Sequence, residues 1–218
     1  MQRLRITFSR GEEVKYTSHL DVMRLWERAL RRAGIPIAYS QGFSPHPKIS
    51  IAAPLAIGVT SDGELMDIQL RRRASPYFFI KTVSEQLPRG IWLLRVEQVA
   101  LSLPSLQSQV RQAEYRVELE TDKGAQDVEE ALRSFLATDQ LPWQHQRDTG
   151  MRRYDLRPLV ARLWLIEWQE SWCTLGMRLR TDSTATGRPE QVSLALGFPH
   201  RPRSIHRTKL ILAGFSSF

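Results

Sequence analysis

Residues 42 to 48 read GFSPHPK, and the residue types in this stretch exceed what a turn requires. Gly42, Pro45 and Pro47 suit a tight turn through their backbone angles. Phe43, His46 and Lys48 add an aromatic face, a titratable ring and a cation, while Gln41 and Ser44 add hydrogen-bonding groups. That set suits contact with an anionic ligand, and a plain structural turn is the competing reading. His46 and His19 are the candidate catalytic groups. His19 follows Ser18, which opens a capping pattern with Asp21 three residues on, so it falls in the first turn of a helix where free backbone N–H groups favour an anion. A metal-independent ribonuclease needs only a general base and cationic stabilisation, and either histidine beside an arginine can serve.

Cations are abundant. The net charge is +8, carried by 26 Arg and only 5 Lys. The planar guanidinium fork suits phosphates and stacks on bases, so nucleic acid is the first partner to consider, with Arg-rich codon usage as the competing explanation. On the first helix Arg24, Arg28, Arg31 and Arg32 share the side away from an apolar stripe of Leu20, Met23, Trp26, Leu30 and Ala33. They form either a phosphate-contacting face or a solvated one with Asp21 and Glu27 as local partners. Arg71, Arg72 and Arg73 end a strand and read either as a rim contact or as a solvated strand end. From Leu141 onward twelve basic residues face six acidic ones, against four and eight in residues 101 to 140, so positive charge gathers in the last third. There RRYDLRP (152 to 158) and PHRPRSIHRTK (199 to 209) mix arginine with Tyr154, His200 and His206. Arg152, Arg153, Arg157, His206 and Arg207 are therefore candidates for single-stranded RNA, phosphates on guanidiniums and bases on rings. Asp155 can alternatively hold Arg153 or Arg157 in a structural pair.

Other chemistries lack their residues. Cys173 is the only cysteine, so neither an internal disulfide nor a cysteine-ligated cluster is possible. No HxH, HExxH, GxxxxGK[ST] or strand-linked GxGxxG pattern occurs, and we expect no metal and no cofactor. The N-terminus lacks an apolar leader, and no run approaches the roughly 20 apolar residues of a membrane span, so a cytoplasmic protein is expected.

The elements that must carry these residues follow a repeated order. RLRITF (3 to 8) alternates charged and apolar residues, as a half-buried strand does. The helix from Ser18 stops at Gly34 and Pro36. Strands at 49 to 53 and 64 to 70, a helix from Ser75-Pro76 to about Leu87, and a strand at 91 to 99 complete the first set. Strands at 114 to 120, 163 to 168, 173 to 180 and 205 to 212, with helices at 126 to 136 and 189 to 196, repeat it. A short strand-like segment follows the first helix of each set, at 35 to 40 and 143 to 147. The order strand, helix, strand, strand, helix, strand is the ferredoxin-like plan. We therefore expect an α+β chain of two tandem ferredoxin-like (βαββαβ) modules, residues 1–100 and 113–218, joined by a linker at 101–112.

The run from Thr17 to Leu70, with DLRP at 155 to 158 and HRTKL at 206 to 210, resembles the bacterial radical-SAM-linked proteins, a family of unknown function. The resemblance implies a radical-SAM partner and an RNA-related setting. With one cysteine this chain is not itself an iron–sulfur enzyme, so the implied role is a non-catalytic accessory protein that binds RNA or presents substrate. A weaker, architectural similarity is to the tandem ferredoxin-like endoribonucleases that process CRISPR repeat RNA, whose Gly-rich C-terminal loop is replaced here by LAGFSSF (212 to 218). A metal-independent ribonuclease and a protein-interaction scaffold remain the alternatives. The sequence leaves open where GFSPHPK lies. It sits either near Ser18 and His19 or at the far end of the first helix, by Arg31 and Arg32.

Overall fold

A computed structural model describes residues 1–147 and 150–214. The chain is mixed α+β and divides into two compact units, the first being Met1–Val110 and the second starting at Arg111.

The first unit contains β1 (Gln2–Arg10), α1 (His19–Arg32), β2 (Ile49–Ile51), β3 (Thr60–Leu70), α2 (Pro76–Ser84), β4 (Ile91–Val99) and the short α3 (Leu106–Gln109). Its strands lie in the order β4, β1, β3, with β2 also paired to β3, and these pairings are antiparallel. Ser18 caps α1 by accepting the Asp21 amide at 3.2 Å, while its hydroxyl donates to the Asp21 carboxylate at 2.7 Å. Val22, Trp26, Ala29 and Leu30 are the buried residues of the helix. Leu20, expected in that stripe, is instead 67% exposed, because the buried face is centred one residue further round. The helix ends when Gly34 takes φ +67° and Ile35 N–H reaches the Leu30 carbonyl at 3.0 Å. Leu4, Ile6 and Phe8 of β1 share a core with Trp26, Leu30, Phe79 and Val83, and the Phe8 and Trp26 rings meet edge-on at 5.0 Å.

The alternation in RLRITF predicted a strand with one wet face, yet β1 is buried on both. The reason is Asp67, whose carboxylate accepts Arg3 Nε at 2.9 Å, Arg3 Nη2 at 2.6 Å and Arg5 Nε at 2.9 Å. Arg3 also donates to the carbonyls of Leu103 at 2.7 Å and Pro104 at 2.9 Å. Within residues 101–112, the expected linker, Leu103 and Pro104 are thus tied to β1, and residues 106 to 109 form α3 with Leu106 fully buried.

The second unit contains β5 (Val110–Glu120), α4 (Ala125–Ala137), β6 (Pro142–Arg147), β7 (Gly150–Asp155), β8 (Val160–Gln169), β9 (Trp172–Arg180), α5 (Pro189–Ala195) and β10 (Ser204–Leu212). Its main strands lie in the order β10, β5, β9, β8, and β6 with β7 forms a separate two-stranded hairpin. The sequence reading found β6 but missed β7, whose MRRYD run carries no apolar alternation. Cys173, Leu175, Met177 and Leu179 of β9 are buried, as are Val128 and Leu132 of α4. Gly176 sits opposite Trp164, and a Cβ there would lie 1.9 Å from the indole, so the position admits no side chain.

Two charge clusters test this architecture. Replacing Asp67 with Ala leaves two buried guanidiniums without their counter-charge, and we expect a loss of about 3 to 5 kcal/mol in urea unfolding. A change under about 1 kcal/mol would show that the cluster is dispensable. In the second unit, burial pushes the Glu114 carboxyl up, but hydrogen bonds from Arg178 at 2.7 Å and the Lys209 ammonium at 3.1 Å outweigh it and hold the group below its ordinary range. A carboxyl lowered in the folded chain contributes stability that is complete above the ordinary range and is lost as pH falls through the lowered value. Glu114→Gln is accordingly expected to be less stable than the parent at neutral pH, with the gap closing below about pH 4. Denaturation curves across pH give the comparison, and a constant gap contradicts the assignment.

Candidate functional site

The loop GFSPHPK is placed by backbone hydrogen bonds that start at the last residues of β3. Ile37 bridges Leu70, and Ala38 N–H reaches the Gln69 carbonyl at 2.8 Å. Tyr39 then bridges Pro47, Ser40 N–H reaches the His46 carbonyl at 2.8 Å, and His46 N–H reaches the Ser40 hydroxyl at 2.9 Å. Lys48 N–H closes on the Ala38 carbonyl at 2.8 Å. The segment is thus a small hairpin clamped to the Leu70 end of the sheet. Gly42 supplies φ +125° at the tip, a backbone region nearly closed to other residues. Residues 41 to 46 are all exposed, and Phe43 is fully so, at 108% of its reference area.

The opposite end of the sheet carries His19. Arg10 pairs with Ser61, and its guanidinium donates to the Thr17 carbonyl at 3.0 Å, just before the first turn of α1. From Ser61 to Leu70 the strand advances about 30 Å at roughly 3.3 Å per residue. His19 and His46 are therefore at different ends, and of the two placements open in the sequence the loop takes the one beside the C-terminal end of α1.

That end gathers cations from three separated stretches. Arg31 and Arg32 are the last residues of α1, Lys48 ends the hairpin, and Arg71, Arg72 and Arg73 continue from β3, with Arg71 N–H bound to the Pro36 carbonyl at 2.8 Å. Arg31 pairs with Glu27 at 2.9 Å. Among the described residues Arg32, Lys48, Arg71, Arg72 and Arg73 have no ion pair, and all but Lys48 are exposed. Neither residues 31 to 48 nor residues 69 to 75 contain an acidic residue. The Arg71–Arg73 run, which the sequence left as either a rim contact or a solvated strand end, joins this cluster through the Arg71 backbone. The shared lack of acids in two stretches flanking strand-like runs was its only linear signal.

Further along α1, Arg24 pairs with Asp21 at 3.4 Å, and Arg28 Nε donates to the Arg24 carbonyl at 3.2 Å. Arg28 and Arg32 border an open groove of about 590 Å³ with Leu25, Leu87 and Pro88.

In the second unit the candidates divide. Arg152 and Arg153 are exposed on the β6–β7 hairpin, with Arg152 over the Tyr154 ring at 5.7 Å and His145 edge-on to the same ring at 5.7 Å. The Tyr154 hydroxyl donates to Gln191, which ties the hairpin to α5. A shallow depression of about 560 Å³ lies along it, bordered by Trp143, Gln144, Arg153 and Asp155. Arg157 is committed elsewhere. Its guanidinium donates to the carbonyls of Leu136 at 3.0 Å, Thr138 at 3.1 Å and Val160 at 2.8 Å, which caps the C-terminal end of α4. Asp155 accepts the amides of Leu141 at 2.8 Å and Arg157 at 3.0 Å, so DLRP is a structural latch. His206 is half-buried on β10, and Arg207 is 1% exposed, out of reach of a ligand in solvent. Burial pushes the Cys173 thiol up to about 11, against the opposing charge of Lys123, so it is no nucleophile at neutral pH. Residues 215 to 218 of LAGFSSF lie outside the described residues, and among those described no helix is long and apolar enough to cross a membrane.

Arg157→Ala is expected to cost about 1 to 2 kcal/mol in thermal or urea unfolding through the lost carbonyl bonds. Its affinity for any polyanion should stay within twofold of the parent, and a marked loss of affinity at full stability would return Arg157 to the binding candidates.

Comparison with known proteins adds a family and a fold. Residues 3–189 match a family described as an uncharacterized protein conserved in bacteria, DUF2344. No curated protein matches the chain by sequence. Among solved structures, a chain of a Cbf5-Nop10-Gar1 complex aligns with TM-score 0.52 at 11% identity, covering 95% of this chain and 48% of that one. A chain of an H/ACA RNP bound to a substrate RNA containing 2′-deoxyuridine aligns with TM-score 0.50 at 11% identity, covering 95% and 47%. The chain spans about half the length of these structures' chains, and at such identity the likeness is one of fold. Neither structure is a repeat-RNA endoribonuclease.

Proposed function

We propose that this chain, which belongs to the DUF2344 family of proteins conserved in bacteria, is an RNA-binding accessory protein. The observation that carries the reading is the gathering around the GFSPHPK hairpin of Arg32, Lys48 and Arg71 to Arg73, none of which has an ion pair among the described residues. Cations held together without counter-charges repel one another, and a chain of phosphates relieves that repulsion while releasing its own counterions. Exposed Arg152 and Arg153, on a hairpin with Tyr154, supply a second cationic and aromatic surface of the same kind. The fold likeness to a chain of an H/ACA RNP bound to a substrate RNA supports the same reading.

A substrate-presenting role beside a radical-SAM enzyme rests on the sequence resemblance of residues 17 to 70. The strand orders, β4-β1-β3 with β2 beside β3 and β10-β5-β9-β8, support reading the two units as ferredoxin-like modules. In the ribonuclease alternative His19 or His46 would act without the other, because they sit at opposite ends of the first unit's sheet.

The test is the salt dependence of binding to a labelled single-stranded RNA between about 50 and 200 mM salt. The triple variant Arg71→Ala/Arg72→Ala/Arg73→Ala is expected to weaken binding and to lower the slope of log Kd against log salt by about 2, at roughly 0.7 per phosphate contact. An unchanged slope would mean that these arginines do not meet phosphates.

A further inference from the structure

The geometry points to a more specific ligand for this surface: single-stranded RNA, with an unpaired base stacked on Phe43. This rests on the RNA-binding reading above and adds the strand state and the group that reads it.

Three observations converge on Phe43. It is fully exposed, so its phenyl ring has no packing role in the first unit. It is also held out on a stiff support. Ser40 and His46 exchange two hydrogen bonds across the hairpin, Tyr39 bridges Pro47, and Pro45 and Pro47 restrict the backbone between the tip and the sheet. A ring presented on a rigid support loses little conformational entropy when it meets a ligand. Finally, its surroundings select a polyanion. The nearby side chains on the hairpin are Gln41, Ser44, His46 and Lys48, and the same end of the unit carries Arg31, Arg32 and Arg71 to Arg73.

A duplex answers only part of this surface. Its phosphates can lie on the arginines, but its bases are stacked on one another and offer no free face to a phenyl ring. A single strand supplies both, because unstacked bases stack on aromatic side chains while the backbone follows the cations. Stacking of this kind tolerates any base, so preference for strand state rather than for sequence is the expected behaviour. The cationic setting, with no acidic residue in 31 to 48 or 69 to 75, favours RNA over a protein pocket as the place where Phe43 docks. An anionic bilayer shares that charge and enters the test as its own arm.

The probe is one labelled RNA oligonucleotide, used alone and annealed to its complement, titrated with the full chain. Phe43→Leu keeps an apolar side chain of similar size without the ring, and Phe43→Tyr keeps the ring. The parent is expected to prefer the single strand. Phe43→Leu should weaken single-strand binding about tenfold, Phe43→Tyr should stay within about threefold of the parent, and duplex binding should be unaffected by either. Equal single-strand affinities for the parent and Phe43→Leu, or equal losses for strand and duplex, overturn the stacking role and leave RNA binding standing. Loss of binding to phosphatidylserine vesicles in Phe43→Leu with RNA affinity unchanged assigns the tip to a membrane surface instead. No RNA binding by the parent overturns both this inference and the reading it rests on.

Discussion

The first unit is organised around one buried carboxylate. Asp67 lies 4% exposed between the guanidiniums of Arg3 and Arg5, which are themselves 6% exposed. Taking three charges out of water is costly, and it is tolerated only when each polar atom finds a partner. Here Asp67 accepts from both arginines, and the excess positive charge is met by the Leu103 and Pro104 carbonyls on Arg3. The pairing is also a register lock. Arg5 opposite Asp67 requires Gln2 opposite Leu70. A one-residue slip would turn Asp67 toward the core face that Leu4, Ile6 and Phe8 occupy.

The same lock positions the surface assigned to RNA. β2 pairs Ser50 with Asp67 and Ile49 with Ile68, so the chain that enters β2 must approach past Gln69 and Leu70. The hairpin that carries Phe43 is built there, and the three arginines after Leu70 leave the sheet at that point. α1, capped at Ser18 and stopped by Gly34, has its last turn at this same end. A charge cluster buried on one face of β1 and β3 therefore decides which cations meet beyond the end of the strands.

Arginine serves two physical purposes in this chain. In Arg3, Arg5 and Arg157 the planar fork satisfies several buried or helix-terminal oxygens at once, work that a lysine point charge does poorly. Exposed Arg71 to Arg73 and Arg152 to Arg153 present the same group to solvent. Composition cannot separate these uses, because both raise the net charge equally. Arg157 and Arg207, chosen as candidates because they lie in basic stretches, are respectively a helix cap and a buried side chain.

Local information settled much of this protein. Ser18 with Asp21, Ser75 before Pro76, and the spacing of Trp26 and Leu30 placed both main helices of the first unit, and runs of branched and aromatic residues placed most strands, because caps and periodicity act within a few residues. The hairpin strand β7 was not legible, since a two-stranded ribbon with polar faces needs no apolar alternation. Nor was the burial of Arg3 and Arg5, because their partner lies more than 60 positions away. The candidate site divides in the same way. Its residue types, the stiff proline-flanked loop and the fully basic helix end were visible in the letters. That Arg31, Phe43 and Arg71 share one end of a sheet while His19 lies at the other was decided by strand register, which depends on pairing between segments that no local rule connects.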